Sequence, residues 1–193
     1  MDLIKESIRE LKLNNAKQRE DHIEKLLDYY NGNNTSAYIQ RMFSGQAFRE
    51  IPPVEANITR KFINKMSRVY TVGANRNVND RYDELTILKA TRMKHIERMT
   101  RLCGTIATRV VWSEGETPYF DYRPVYFFHV FFGDDPFVPT AISYPMLQPV
   151  EDSSRVEKLQ YAYWDAEKYI HMDEDGAILN EIPHNYGVLP FVF

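Results

Sequence analysis

At residues 104–112, GTIATRVVW, the spacing of the apolar residues changes from helical to extended. Gly104 ends the preceding helical pattern, because glycine readily adopts the left-handed backbone conformation that closes helices. The β-branched residues that follow it predict a strand over residues 105–112. Helices before this point and strands after it form the α+β pattern. The sequence therefore predicts N-terminal helices followed by a β-rich section with antiparallel hairpins.

The first helical segment is predicted over residues 2–31, where apolar side chains recur at helical spacing. A polar stretch inside it predicts a break near Asn14, and the sequence Asn-Gly-Asn-Asn at residues 31–34 predicts its end. Residues 35–53 are predicted to form a loop that carries several large apolar side chains. Such side chains need cover, so this loop is expected to lie on the same chain or across a neighbour.

Two more helices are predicted before Gly104, one over residues 54–70 and one over residues 81–103 with Asp80 as its N-cap. Each has an apolar stripe that is expected to face the core. The stripe residues are Val54, Ile58, Phe62, Met66 and Val69 in the first of these helices, and Leu85, Leu88, Ile96, Met99 and Cys103 in the second.

Six further strands are predicted after residue 112, with Pro124 separating the first two of them. Their ranges are 118–122, 125–132, 140–147, 159–164, 168–172 and 177–182. Asp173–Gly176 gives the strongest hairpin signal in the chain. Turns are also predicted at residues 114–116 and 133–136, and a polar loop at residues 150–158.

The composition excludes several classes of protein. The chain has 193 residues, of which 44% are hydrophobic and 13% aromatic, which excludes a mainly disordered chain. The mean hydropathy is −0.49, and the sequence holds no apolar run long enough for a membrane-spanning helix. The first residues are too charged for a secretion signal. The single cysteine cannot form an internal disulfide, which favours assembly inside a cell.

The charges are spread unevenly along the chain. Residues 54–112 carry 12 basic and 5 acidic side chains, a net charge of +7, whereas residues 113–193 carry 4 basic and 14 acidic ones, a net charge of −10. One interpretation is a basic surface that binds phosphates, and another is an acidic face that meets a basic face of a second subunit. A third is that the helices simply carry lysine and arginine on their solvated side.

The residues predicted to contact DNA or a neighbouring subunit are six basic side chains of the second and third helices. They are Arg60, Lys61, Lys65, Arg92, Arg98 and Arg101. No recognition-helix motif accompanies them, so DNA contacts would be non-specific and sensitive to salt.

No catalytic, cofactor-binding or metal-binding residue is predicted. The sequence has no phosphate-binding loop, no dinucleotide-binding glycine motif and no zinc-protease or serine-hydrolase motif. The five histidines show no ligand-like pairing, and Cys103 is interpreted as core packing. The sequence Asp173–Gly176 has the wrong spacing for a calcium loop and is interpreted as a turn. An enzyme is therefore not expected.

Eight short motifs follow one another along the chain in an order that is similar to that of a known family. They are YYNG at residues 29–32, PPVEANITRKFI at 52–63, YTVG at 70–73, GTIA at 104–107, PVYFFHV at 124–130, PTAISY at 139–144, YWDAE at 163–167 and HNYGVLPFV at 184–192. In this order the chain resembles the N-terminal part of a tailed-bacteriophage portal protein of the siphophage type. The closing motif at 184–192 is the most specific of the set.

The resemblance implies a structural subunit of the head–tail connector, which is a ring of commonly twelve copies at one vertex of the capsid. Double-stranded DNA is packaged and ejected through such a ring, and the subunits do not hydrolyse nucleotides. The partners that it implies are further copies of the chain, DNA in the channel, and terminase, capsid and tail-connector proteins, with no membrane. It places the protein in the virion after assembly in the host cytoplasm.

The resemblance also suggests how the chain is divided. Residues 1–53 would be an N-terminal helical region with an apolar loop, residues 54–104 the helical part of the wing, and residues 105–193 its β-rich part. The stem, clip and crown follow the closing motif in the family and are missing here. The apolar ending of the chain is therefore expected to mark a cut within the architecture.

Two other functions stay open at this stage. A non-specific nucleic-acid-binding module would use the basic helices of residues 54–112, because lysine and arginine gain affinity by releasing counterions from phosphates. An enzyme with an unfamiliar site is the other alternative, which the absent motifs disfavour.

Overall fold

The computed structural model describes residues 2–34, 37–38, 41, 57–70, 85, 89–113, 119–146 and 159–193. Within these residues the helices are α1 (Asp2–Lys12), α2 (Asn14–Asn31), α3 (Ile58–Met66) and α4 (Lys89–Cys103). The strands are β1 (Ala107–Ser113), β2 (Tyr119–Val125), β3 (His129–Phe132), β4 (Pro139–Met146), β5 (Gln160–Trp164), β6 (Lys168–Met172), β7 (Ile178–Pro183) and β8 (Phe191–Val192). The predicted α+β fold is confirmed.

The first two helices follow the sequence closely. The predicted break lies at Leu13, which separates α1 from α2. Gly32 ends α2 with a φ of +80°, in the left-handed region that glycine adopts without steric cost. The backbone at Ala37, Tyr38 and Arg41 is helical, so the predicted loop is wrong at these residues. The rest of residues 35–53 lies outside the described part.

The helix α3 is fixed to the end of α2 by Asn57. The Asn57 side-chain oxygen accepts a hydrogen bond from the Arg60 backbone N–H at 2.8 Å, which is a helix N-cap. Its amide nitrogen donates to the Tyr30 carbonyl oxygen at 2.7 Å. The same side chain therefore starts one helix and holds the end of another.

The helix α4 begins later than the sequence predicts. Leu85 lies in a turn, and its carbonyl oxygen accepts a hydrogen bond from the Phe120 backbone N–H at 2.8 Å. The backbone at residue 85 is thus tied to β2 instead of continuing a helix. Gly104 ends α4 with a φ of +87°, as predicted. Asp80, the turn at residues 114–116 and the loop at residues 150–158 lie outside the described residues.

The strands form two antiparallel sheets. The smaller sheet has the order β2-β1-β8, and the larger one has the order β3-β4-β5-β6-β7. In the larger sheet every neighbouring pair is consecutive in sequence, so it is a meander. The turn at Asp173–Gly176 joins β6 to β7 as predicted, with the Asp173 carboxylate accepting hydrogen bonds from the Asp175 and Ala177 backbone N–H groups.

Pro124 does not separate two strands. It lies inside β2, opposite Thr108 of β1, and the chain leaves the sheet only at residues 126–128. The predicted boundary is wrong because β2 is an edge strand of its sheet. The outer side of an edge strand needs no ladder hydrogen bond, so proline is tolerated there.

Three apolar clusters hold these elements together. The first packs α1 on the larger sheet, the second joins α2, α3 and α4, and the third lies between the two sheets. Their buried members are Ile8, Leu11, Ala141, Tyr161, Tyr163, Ile170 and Met172 in the first, Tyr30, Ile63, Met99, Leu102 and Ile106 in the second, and Ala107, Ile142 and Phe191 in the third.

The predicted division at residues 53 and 104 stays a prediction. The helical cluster includes Ile106 and the partly buried Tyr126, which come after residue 104. The packing therefore links the helical part of the chain to the beginning of its β-rich part.

Candidate interaction surface on the helices

The inward side of α3 is defined by Ile63. Only 7% of this side chain is exposed, and it belongs to the helical cluster with Tyr30, Met99 and Leu102. Next to it, the Tyr30 hydroxyl donates a hydrogen bond to the Asn64 side-chain oxygen at 3.2 Å. One apolar and one polar contact therefore fix the rotation of α3 about its axis.

The opposite side of α3 is apolar and exposed. Ile58, Phe62, Met66 and the following Val69 are 72%, 61%, 45% and 68% exposed. Ile58, Phe62 and Met66 recur four residues apart, so they share one face of α3. Val69 is exposed just beyond the end of this helix. We call these four residues together the α3 outer face. The prediction that this stripe faces the core is therefore wrong for these four residues, and Val54 lies outside the described part. Periodicity identifies an apolar face but not what covers it.

Lys61 and Lys65 border the α3 outer face. Each lies three residues after one of its members, Ile58 and Phe62, which is the spacing of neighbours on a helix surface. Both lysines are exposed. Within the described part of the chain neither has a side-chain partner. The surface therefore combines apolar side chains with two available positive charges.

Arg60 lies on the other flank of α3. Its guanidinium group lies 5.8 Å from the centre of the Tyr30 ring. This contact is a cation–π interaction at the surface, where such contacts contribute about 0.5–1 kcal/mol. Arg60 is exposed but directed toward α2 and is not part of the α3 outer face.

Two of the three arginines of α4 form ion pairs within the chain. Arg92 forms an ion pair with Asp121 of β2, with 3.1 Å between its Nε and the carboxylate oxygen. Arg101 pairs with Glu97 at 3.3 Å, and Arg98 is half-buried. Nine residues separate Arg92 from Arg101, which places them on opposite sides of α4. The six predicted residues therefore do not form one surface, and only Lys61 and Lys65 lie together beside the α3 outer face.

Glu97 joins the end of α3 to α4. Its carboxylate accepts hydrogen bonds from the backbone N–H groups of Val69 at 3.2 Å and Tyr70 at 3.3 Å, in addition to the one from Arg101. Burial opposes ionisation of this carboxyl. The three hydrogen bonds outweigh burial, so the pKa of Glu97 lies below its ordinary value of 4.5.

We expect Glu97→Gln to lower the free energy of unfolding by about 1–2 kcal/mol at pH 7, because an amide replaces one acceptor oxygen with a donor. A carboxyl whose folded-state pKa is lowered stabilises the protein above its unfolded-state pKa, and this contribution is lost as the pH falls through the folded-state pKa. The difference between the two proteins should therefore shrink below pH 4.5.

Urea unfolding between pH 3 and pH 7 measures this difference. Glu24→Gln is the matched control, because Glu24 is exposed on α2 and should change stability little. Equal stability of Glu97→Gln and wild type at pH 7 would show that Glu97 does not hold the end of α3.

Residues of the three sequence motifs at 139–144, 163–167 and 184–192 meet at the junction of the two sheets. The Trp164 ring stacks on the His184 ring with 5.5 Å between ring centres, and the Arg109 guanidinium lies 4.7 Å from the Trp164 ring. The Trp164 Nε1–H donates to the Tyr144 hydroxyl oxygen at 3.2 Å. The ring of Phe191 contacts Trp164 at 6.0 Å. These contacts join β1, β4, β5 and β8.

Backbone hydrogen bonds hold the closing motif in place. The N–H groups of His184 and Asn185 donate to the Glu167 carbonyl oxygen, and that of Gly187 donates to the Ala166 carbonyl oxygen, all at 2.8–2.9 Å. Gly187 has a φ of +70°, which favours glycine at this position. The closing motif therefore fastens the β5–β6 turn to the smaller sheet.

The loop between β3 and β4 is a second exposed apolar surface that the sequence analysis did not identify. Phe137 and Val138 are 89% and 54% exposed, next to Asp134 and Asp135. The Asp135 carboxylate accepts a hydrogen bond from the Phe137 backbone N–H at 2.9 Å, which fixes the turn. The sequence could have indicated this surface, because the large apolar residues Phe137 and Val138 follow an acidic turn.

Within the described residues, no group of three or more histidine, cysteine, aspartate or glutamate side chains could hold a metal ion. Cys103 packs at the edge of the helical cluster, where burial raises the pKa of its thiol to about 11. At neutral pH this thiol is protonated, whereas nucleophilic cysteines react as thiolates. Among the helices that the structure describes, none is both long and apolar enough to span a membrane.

No protein-family model matches the chain, and no curated protein is significantly similar to it.

Proposed function

We propose that this chain is part of a structural subunit of a bacteriophage portal ring, through which double-stranded DNA is packaged and ejected. In this proposal the chain contributes contacts between subunits of the wing and no catalysis. Further copies of the chain are its first partners, and terminase, capsid and tail-connector proteins contact the assembled ring. The protein is then located at one vertex of the virion.

The observation that supports the proposal most is the exposed α3 outer face. Large apolar side chains that lie next to one another on the surface of a soluble protein commonly mark interaction sites. Subunits in a ring contact one another head to tail, so one surface of a subunit must fit a different surface of the next. The order of the motifs between residues 29 and 192 supports the portal family as the kind of ring that the chain would form.

Electron microscopy of the full-length protein tests this proposal. We expect closed rings with a central channel at micromolar concentration. Mass photometry of the same sample should give one dominant species with many copies of the chain. A uniform monomer by both methods would contradict the proposal.

Non-specific binding of nucleic acid is the second candidate, and the exposed Arg60, Lys61 and Lys65 favour it. Arg92 and Arg101 already have carboxylate partners, so fewer phosphate contacts remain than the sequence suggests. A salt titration of duplex DNA binding measures how many of these side chains contact phosphates. Three phosphate contacts give a slope of log K against log salt of about −3, and six give about −5. A monomer with a steep slope would favour this candidate over the ring.

A further inference from the structure

The α3 outer face and the β3–β4 loop have complementary chemistry. The α3 outer face (Ile58, Phe62, Met66 and Val69) has lysines at its border and no acidic residue within the helix. The β3–β4 loop, residues 133–138, carries Asp134 and Asp135 beside the exposed Phe137 and contains no basic residue. Both surfaces are exposed in the same chain, so neither covers the other within one subunit.

We propose that the β3–β4 loop of one copy docks on the α3 outer face of the next copy. In this arrangement Phe137 and Val138 pack on the apolar stripe, and the carboxylates of Asp134 and Asp135 face Lys61 and Lys65. The inference rests on the proposed ring, and it names the two surfaces that would join neighbouring subunits head to tail. A contact between two different surfaces repeats from copy to copy and allows closed rings.

The β3–β4 loop is well suited to dock on the α3 outer face of the next copy. The Val138 backbone N–H donates to the Asp135 carbonyl oxygen at 3.2 Å, and the Asp135 carboxylate accepts from the Phe137 backbone N–H. These bonds hold the turn in one conformation with Phe137 almost fully in solvent. A loop whose backbone is already held loses little backbone entropy on binding, and aromatic side chains often dominate interface energies.

The exposed apolar residues of β7 are a weaker match for the α3 outer face. Ile178, Leu179 and Ile182 of β7 are exposed, but Glu181 beside them pairs with Lys168 at 2.8 Å. The acidic turn before β7 borders a groove that is also lined by Lys5, Arg9 and Lys12. Cations of the same chain therefore already balance the carboxylates of this region. Asp134 has no charged partner in the described part of the chain, so the β3–β4 loop is the better complement.

Charge exchange between two variants tests the contact. The first variant is Lys61→Glu/Lys65→Glu, which makes the border of the α3 outer face acidic. The second is Asp134→Lys/Asp135→Asn, which makes the loop basic while asparagine keeps the oxygen that accepts from Phe137. We expect each variant alone to need about tenfold or more higher concentration to associate, because like charges then meet.

An equimolar mixture of the two variants should associate like wild type. Alternating copies restore opposite charges at every contact, because each altered surface then meets a surface of opposite sign. Sedimentation velocity on the full-length proteins measures the association. The control is Lys5→Glu/Lys17→Glu, which changes the charge equally at exposed positions away from both surfaces. It should associate normally.

Cysteine cross-linking provides a second measurement that does not depend on charge. We expect Met66→Cys/Val138→Cys to form a ladder of disulfide-linked copies on oxidation, whereas either single variant should not. The native Cys103 can be kept, because its raised pKa leaves little thiolate at neutral pH.

The outcomes separate this inference from the proposed function. Wild-type protein that assembles into rings, with no rescue in the mixture and no ladder, would overturn the inference and leave the ring intact. Dimers from Met66→Cys alone would also overturn it, because they indicate that two α3 outer faces meet. A wild-type protein that stays monomeric would overturn both.

Discussion

Trp164→Ala is expected to lower the free energy of unfolding by about 3 kcal/mol, which is among the largest effects of any single substitution in this chain. The Trp164 ring contacts the rings of Tyr169, His184 and Phe191 with 4.5–6.0 Å between centres. Its indole N–H also donates to the Tyr144 hydroxyl. Truncation removes these contacts together and leaves a cavity between the two sheets.

The chain provides a matched control in its second tryptophan. Trp112 is 40% exposed and packs on Phe120. Trp112→Ala should therefore cost no more than about 1 kcal/mol. Urea unfolding followed by far-UV circular dichroism measures both variants, because this signal does not depend on the tryptophan itself. Equal losses for the two variants would show that Trp164 does not join the sheets.

Ile63→Ala is expected to lower the free energy of unfolding by about 2–4 kcal/mol, because it removes buried methyl groups from the helical cluster. Phe62→Ala, at the neighbouring position, removes a larger side chain that is mostly exposed. It should change the stability of the isolated subunit by about 0.5 kcal/mol or less. Comparison of the Ile63→Ala and Phe62→Ala variants therefore tests which side of α3 faces the core.

The same urea experiment distinguishes the two orientations of α3. It should be done at a concentration where the protein is monomeric, so that association does not contribute. A larger loss for Phe62→Ala than for Ile63→Ala would mean that the stripe at residues 58, 62, 66 and 69 faces inward. That result would remove the surface on which the proposed function depends.

The parts of the fold that local chemistry determines could be predicted from the sequence. Gly32 and Gly104 close helices because their backbones adopt positive φ, and Asp173–Gly176 forms a hairpin because its own carboxylate and glycine shape the turn. These signals act within a few residues. The α+β order follows from the same local signals.

The errors arise where a distant residue decides the outcome. Pro124 fits inside β2 only because that strand lies at a sheet edge. Arg92 is unavailable to a partner because Asp121, 29 residues away, accepts its hydrogen bond. The side of α3 that is buried depends on where Tyr30 and Met99 lie. Periodicity within one helix contains none of this information.

The candidate site was therefore predicted in part. Arg60, Lys61 and Lys65 are exposed as expected, whereas Arg92 and Arg101 are paired within the chain. The apolar residues between the α3 cations were assigned to the core. Their exposure converts a general basic region into a specific surface that is apolar in its centre and positive at its border.

In the proposed ring, the α3 outer face joins each copy of the chain to the next. Native mass spectrometry of the full-length protein, as wild type and as Phe62→Asp, measures this role. We expect a single large assembly for wild type and monomers for Phe62→Asp, with the same circular dichroism spectrum for both. A wild-type monomer, or a Phe62→Asp protein that assembles as wild type does, would contradict it.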